Sequence, residues 1–240
     1  MHKKRSLFTK IFIVLLIILC IEIFAIHKGY LRTQQTFKKI NIPDYNPRKP
    51  IVLVIDVTTN IMSVFQQGKA LKTYEIAGGR PETPSPIGTW RIVGKDTWGE
   101  GFGGYWMGLN VPWGEYGIHG TTHPEFIGSN ASHGCIRMRS NEVEELYKIA
   151  ALGTPVIIWG GPYGNFGSYL RTLKPGDTGS EVYEIQKILK SKGYYKAKPN
   201  GQYGEYLKAV IHQYQIDNNL PTSEYINYKF YKSLGIYLIE

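Results

Sequence analysis

The chain has 240 residues, 42% of them hydrophobic, which suits one large domain or two smaller ones with tails and argues against disorder throughout. Its net charge of +9 is unevenly distributed: residues 1–49 hold ten basic and two acidic side chains, whereas residues 50–169 hold eight basic and ten acidic ones. Because the basic excess lies near the N-terminus, the charge argues against a nucleic-acid-binding core, and we expect no nucleic-acid partner.

The first 49 residues have the pattern of a membrane-targeting segment followed by a stalk. Residues 1–10 are short and basic, as in a cytoplasmic tail, and an apolar run follows. We predict a transmembrane anchor or signal segment over residues 11–30 and a polar, basic stalk over residues 31–49. The membrane is then a partner, and the later domains are expected to be extracytoplasmic on a single-pass membrane protein. Secretion after signal cleavage is the alternative.

Residues 50–160 are predicted to form a mainly β domain. Three β-branched runs separated by turn residues indicate a meander, at 51–57, 61–65 and 71–77. Further strands are expected at 90–93 and 156–159. A helix of about ten residues is predicted from Asn141, where Glu144 would complete a capping box. The glycine- and aromatic-rich stretch at 98–117 either packs a small β core or lines a ligand groove.

The remainder is predicted to be a linker at 161–169 and a small all-α domain at 170–240. Glycine and proline mark the linker, and apolar residues then recur at helical spacing. Three short helices are expected on these positions: Val182, Ile185 and Leu189; Leu207, Val210, Ile211 and Tyr214; Tyr228, Tyr231 and Leu234.

The segment from 118 to 138 holds three of the six histidines and the only cysteine outside the apolar N-terminal run. A thiol is mostly protonated at neutral pH, so a nucleophilic Cys135 needs an imidazole to take its proton. His119 ends an apolar run, and His133 lies on the same side of an extended segment as Cys135. A zinc site built from these residues and His123, or an inert cysteine, would be the alternatives.

The motif pair His119-Gly120-Thr121 and Ser132-His133-Gly134-Cys135-Ile136-Arg137-Met138 resembles the signature of the L,D-transpeptidase catalytic domain. The resemblance covers roughly residues 50–160. It implies a β-sandwich-like fold with a short helix, Cys135 as the nucleophile and His119 as the general base, with the Gly120 carbonyl orienting the imidazole.

The same resemblance implies supporting roles for the neighbours of the cysteine. His133 would shape the pocket, while Ser132 and Arg137 would hold the loop and meet polar groups of the substrate. Backbone amides around Gly134 and Cys135 would supply the oxyanion hole. No metal and no organic cofactor are expected.

The implied reaction is attack by Cys135 on the third residue of a peptidoglycan tetrapeptide stem, with release of D-Ala and formation of a thioester. An amine from a neighbouring stem would resolve it as a 3→3 cross-link. Water as the acceptor would make the protein an L,D-carboxypeptidase, and a degenerate site would leave a wall-binding tether. Donor and acceptor stem peptides are therefore the expected partners of this domain.

The C-terminal part resembles the peptidoglycan-binding domain of the three-helix type. The motifs that carry the resemblance are Leu173–Val182, Ile185-Gln186, Leu189, Gly193-Tyr194, Gly201-x-Tyr203-Gly204 and Ala209-Val210. Asn200 stands where that family often has Asp, which is compatible with the same turn. The resemblance implies that the cell-wall polymer is a partner through residues 170–240.

Overall fold

The computed structural model describes residues 42–97, 99 and 103–237, together with residue 22. The predicted tail and most of the predicted anchor and stalk therefore lie outside the described residues. Within the part of the chain that is described, no helix is long and apolar enough to cross a membrane. The anchor at 11–30 thus stays a prediction, and the fold described below comprises a mainly β domain and a helical one. Residues 44–240 form one compact unit.

Ten strands of the β domain lie within the described residues, and most of them join one sheet. They are β1 (Ile51–Asp56), β2 (Ile61–Gln66), β3 (Lys69–Glu75), β4 (Gly78–Gly79), β5 (Gly88–Asp96), β6 (Trp106–Leu109), β7 (Tyr116–Thr121), β8 (Asn130–Ser132), β9 (Ile136–Arg139) and β10 (Pro155–Trp159). Eight follow the order β3-β2-β1-β10-β5-β6-β7-β9, while β4 and β8 pair separately. The predicted meander is confirmed as β1–β3. Alternating buried positions in β1 and β2 place one face of each strand in the core.

Strand β5 is shared by two halves of the sheet. Its first residues pair with β10, and those from Ile92 onward pair with β6, with a register shift between Ile92 and Gly94. An irregularity of this kind bends a strand and increases its twist. The half that follows, β6-β7-β9, carries the histidine and cysteine motifs.

A helix follows β9 as predicted, although it is not capped in the predicted way. Helix α1 spans Ser140–Ile149 and buries Val143, Leu146 and Ile149. Its N-cap is Arg139, and no side chain makes a capping hydrogen bond. The capping box expected from Asn141 and Glu144 is therefore wrong, because the N-cap lies two residues earlier and Asn141 is inside the first turn.

The C-terminal domain contains the three predicted helices, α2 (Ser180–Ser191), α3 (Glu205–Asp217) and α4 (Tyr228–Ser233). Their predicted apolar positions are buried in one cluster, except that Tyr228 begins α4 and is 61% exposed. Phe166, from the short 3₁₀ helix Gly164–Phe166 in the predicted linker, joins the same cluster and meets the Tyr231 ring edge-on at 5.6 Å. The linker is therefore anchored to the helical core by an aromatic contact.

Candidate active site

Parallel pairing of β7 with β9 brings the histidine motif and the cysteine motif together. Ile118 pairs with Ile136, His119 with Arg137 and Gly120 with Met138. Cys135 directly precedes β9, so its loop enters the sheet beside the strand that carries His119. The edge strand β9 is held from its other side, where Arg137 and Ala77 exchange two backbone hydrogen bonds of 2.9 Å.

Cys135 is a free, half-buried cysteine. Burial raises the pKa of its thiol. The backbone N–H of Gly117, which donates to the sulfur, and the positive charge of Arg137 oppose that rise, whereas the Glu115 carboxylate adds to it. The balance keeps the thiol protonated at neutral pH, so its use as a nucleophile depends on a neighbouring base.

His119 is buried, with 9% of its surface exposed. Its Nδ1 lies 2.6 Å from the Gly120 carbonyl oxygen. A carbonyl only accepts, so Nδ1 carries the proton and Nε2 is left with the lone pair that a general base requires. The imidazole also lies against the indole of Trp106, with ring centroids 5.6 Å apart. Trp106 is the residue opposite His119 in the β6–β7 ladder, which explains this placement.

Ser132 organises the loop that presents the cysteine. Its hydroxyl donates to the Cys135 carbonyl at 2.6 Å and accepts from the Gly134 N–H at 3.0 Å, and the residue is fully buried. Gly134 has φ +113°, and a Cβ at this position would lie 2.7 Å from Cε1 of Tyr116. Only glycine suits this turn. Because the Gly134 amide already donates to Ser132, the Cys135 amide is the better candidate of the two for the expected oxyanion hole.

The other two histidines of the segment are exposed. His123 lies 3.0 Å from the Glu125 carboxylate through its Nδ1, and its ring is near Phe126. Within the described ranges, His133 has no recorded hydrogen bond or ion pair, so its role in shaping the pocket stays a prediction. No group of three or more His, Cys, Asp or Glu side chains among the described residues is arranged to hold a metal ion. The zinc alternative thus gains no support from the geometry.

Three residues of the site were not identified from the sequence: Trp106, Tyr116 and Gly117. Their contacts with His119, Gly134 and Cys135 depend on the pairing of β6, β7 and β9, which joins segments through long-range registers. The aromatic stretch at 98–117 offered a signal, since its two interpretations were a core and a groove. Trp106 and Tyr116 are half-buried beside the histidine and cysteine motifs; Trp98 lies outside the described residues.

Comparison with known proteins matches both parts of the chain. Residues 50–158 match the family described as "L,D-transpeptidase catalytic domain", and residues 178–232 match "Putative peptidoglycan binding domain". "Putative L,D-transpeptidase YkuD" of Bacillus licheniformis is 37% identical over 110 residues, which cover 45% of this chain and 66% of that protein, just under two thirds of its length. "Putative L,D-transpeptidase YqjB" of Bacillus subtilis is 30% identical over 128 residues, which cover 47% of this chain and 72% of that protein.

Proposed function

We propose that this chain, which belongs to the L,D-transpeptidase family, is an acyltransferase that uses Cys135 to attack peptidoglycan stem peptides. The observation that carries the proposal is the β7–β9 pairing. It places the Cys135 loop beside a strand whose His119 is held by Nδ1 on the Gly120 carbonyl, with Nε2 able to accept a proton.

In the proposed first step, the Cys135 sulfur bonds to the carbonyl carbon of the third residue of a tetrapeptide stem while its proton passes to Nε2 of His119. The bond to the terminal D-Ala then breaks, and its nitrogen takes that proton as D-Ala leaves. A thioester remains on Cys135. An amine of a second stem attacks the thioester, gives up a proton to His119 and restores the thiol, which yields a 3→3 cross-link.

Hydrogen-bond donors near the sulfur would stabilise the oxyanion of both steps. The Cys135 amide is the candidate donor, and such a donor lowers the barrier of acyl transfer by about 3 to 4 kcal/mol. The Arg137 guanidinium is close enough to the thiol to lower its pKa, so it also favours negative charge at this place. We assign Arg137 to the polar recognition of the donor stem.

We further propose that residues 170–240 hold the enzyme on the wall polymer and that the N-terminal segment keeps it at the outer face of the cell membrane. The match of residues 178–232 to a peptidoglycan-binding description supports the first part. The apolar run before residue 30 and the basic tail before it are the sequence features behind the second.

The test is incubation of the full chain in detergent with muropeptide tetrapeptides, followed by mass spectrometry. We expect D-Ala release and a cross-linked dimer, both lost in Cys135→Ala and in His119→Gln. His123→Ala is the matched control, because this exposed histidine belongs to the same segment and should leave the products unchanged. D-Ala release by Cys135→Ala at the rate of the parent chain would sink the proposal, while release without a dimer would identify water as the acceptor.

A further inference from the structure

The helical domain meets the β domain at a cluster of three aromatic rings. Trp90 and Trp113 come from the β domain and Tyr183 from helix α2. The ring centroids lie 5.3 Å apart for the two tryptophans, 5.6 Å for Trp90 and Tyr183, and 5.5 Å for Trp113 and Tyr183. Trp90 is itself fixed, since it is 3% exposed and its indole N–H donates to the Pro86 carbonyl at 2.8 Å. Trp113 therefore packs between the fixed indole of Trp90 in the β domain and Tyr183 in the helical domain.

A second element of the helical domain closes on Trp113. Gly201 has φ +70°, and a Cβ there would lie only 2.3 Å from Cε3 of the indole, so the ring rests directly on the backbone of this turn. The buried amide of Gln186 holds the turn by accepting from the N–H groups of Asn200 and Gly201, each at 2.8 Å. The same amide donates to the Gln202 carbonyl at 2.9 Å. The surface that receives Trp113 is thus built into the domain.

On its other side, Trp113 leads to the nucleophile loop. Its ring centroid is 6.3 Å from that of Tyr116, in an edge-on arrangement. Tyr116 in turn lies against Gly134, the residue before the nucleophile. The Tyr116 side chain is half-buried, and its pKa is raised mainly by that burial, with the Trp113 indole opposing the rise and the nearby Cys135 sulfur adding to it. Two ring contacts, Tyr183–Trp113 and Trp113–Tyr116, therefore connect helix α2 with the residue that packs against the Cys135 loop.

We propose that the helical domain is a structural part of the active site: Tyr183 and the Gly201 turn seat Trp113, and Trp113 holds Tyr116 against the Gly134–Cys135 backbone. Trp113 and Tyr116 are positioning residues in this arrangement, and Tyr183 is the residue through which the helical domain acts. The assignment of this role in catalysis rests on the proposed function. The contact explains why Trp113, an indole on the loop between β6 and β7, is half-buried.

The consequence concerns the burial of the thiol. Burial is the leading cause of the raised pKa of the Cys135 thiol. In the proposed arrangement the Tyr116 ring, which lies against Gly134, forms part of the wall of side chains that buries this thiol. Removal of the Tyr183 or Trp113 side chain would release Tyr116, admit water to the Cys135 sulfur and lower the pKa of the thiol. The Arg137 and Glu115 charges and the His119 imidazole, which face the same region, are unchanged by substitutions at the contact. A shift in the pKa of the Cys135 thiol would therefore report a change in the packing of Tyr116.

The experiment measures the rate of Cys135 alkylation by iodoacetamide against pH on the full chain, beside the cross-linking rate. In Tyr183→Ala and Trp113→Ala, we expect the midpoint of the pH profile to fall and alkylation at pH 7 to rise about threefold or more. The kcat of cross-linking should fall about tenfold because the loop is no longer held in place. Tyr183→Phe keeps the ring and should match the parent chain in both measurements.

Tyr228→Ala is the matched control, because it removes an exposed tyrosine from the same domain and should change neither rate. Should Tyr183→Ala lose helical circular dichroism, Tyr183→Leu, which keeps an apolar side chain on α2, gives the deciding measurement. A folded Tyr183→Ala variant, or a folded Tyr183→Leu variant where the alanine variant loses its helices, with the parent pH profile and kcat would overturn the proposal. A parent chain that neither releases D-Ala nor cross-links would instead overturn the proposed function, while the alkylation series would still test the contact.

Discussion

Removal of the Ser132 hydroxyl should destabilise the β domain markedly. This hydroxyl satisfies two backbone groups at a fully buried position, the Cys135 carbonyl at 2.6 Å and the Gly134 N–H at 3.0 Å. A buried polar group left without its partner costs about 1 to 3 kcal/mol. Since the turn cannot bring both groups to water without moving, we expect Ser132→Ala to lower the free energy of unfolding by about 2 to 4 kcal/mol.

Urea unfolding followed by tryptophan fluorescence measures this loss, because all five tryptophans precede residue 160 of the chain. Ser129→Ala is the matched control: its hydroxyl also donates to a backbone carbonyl, that of Phe126 at 2.7 Å, but the residue is exposed. We expect this control to lose about 1 kcal/mol or less. Equal losses in the two variants would refute the reasoning, since burial of the Ser132 contacts would then have no energetic effect.

Two further predictions concern charge near the thiol and the end of helix α1. In iodoacetamide alkylation of the free enzyme, the midpoint of the pH profile should lie above that of an ordinary thiol. The midpoint should rise further in Arg137→Ala and fall in Glu115→Gln, because these charges act on the Cys135 pKa with opposite signs. Midpoint shifts in the same direction in the two variants would contradict this. Lys95 donates to two carbonyls at the end of α1, including that of Ala150 at 2.7 Å. Lys95→Met should therefore lower the free energy of unfolding by about 1 to 3 kcal/mol in the same urea assay. An unchanged free energy of unfolding would contradict a stabilising role of the ammonium group.

The local elements of this fold could be predicted from the sequence because they depend on nearby residues. The β-branched runs that became β1 and β2 and the periodic Val182, Ile185 and Leu189 of α2 carry their own signal. The N-cap of α1 was misplaced by two residues because Arg139, whose side chain makes no capping hydrogen bond, ends β9 and begins the helix at once. Tyr228 was expected in the core by spacing alone, yet it starts a helix of only six residues and faces solvent.

The composition of the site was also readable, but its geometry was not. Cys135 and His119 stood out as residue types, whereas the parallel β7–β9 register that sets one beside the other joins two strands through a long connection. The engagement of the Gly134 amide by Ser132 follows from one turn with φ +113°, which no residue pattern specifies. Trp113 is the clearest case: its role depends on a contact between domains, and composition could assign it only to a core or a groove.

The raised pKa of Cys135 is consistent with a nucleophile that is activated only when it reacts. A thiolate kept at rest would be the species that oxidants attack, and an extracytoplasmic enzyme would be exposed to them. A protonated thiol avoids this, because in the proposed mechanism the proton moves to His119 only as the sulfur bonds to a carbonyl. Under the proposal above, the wall formed by Tyr116 would serve the same purpose by limiting the access of water to the sulfur. If the helical domain holds that wall, as we propose, then docking of the wall-binding module and protection of the nucleophile depend on the same aromatic contact.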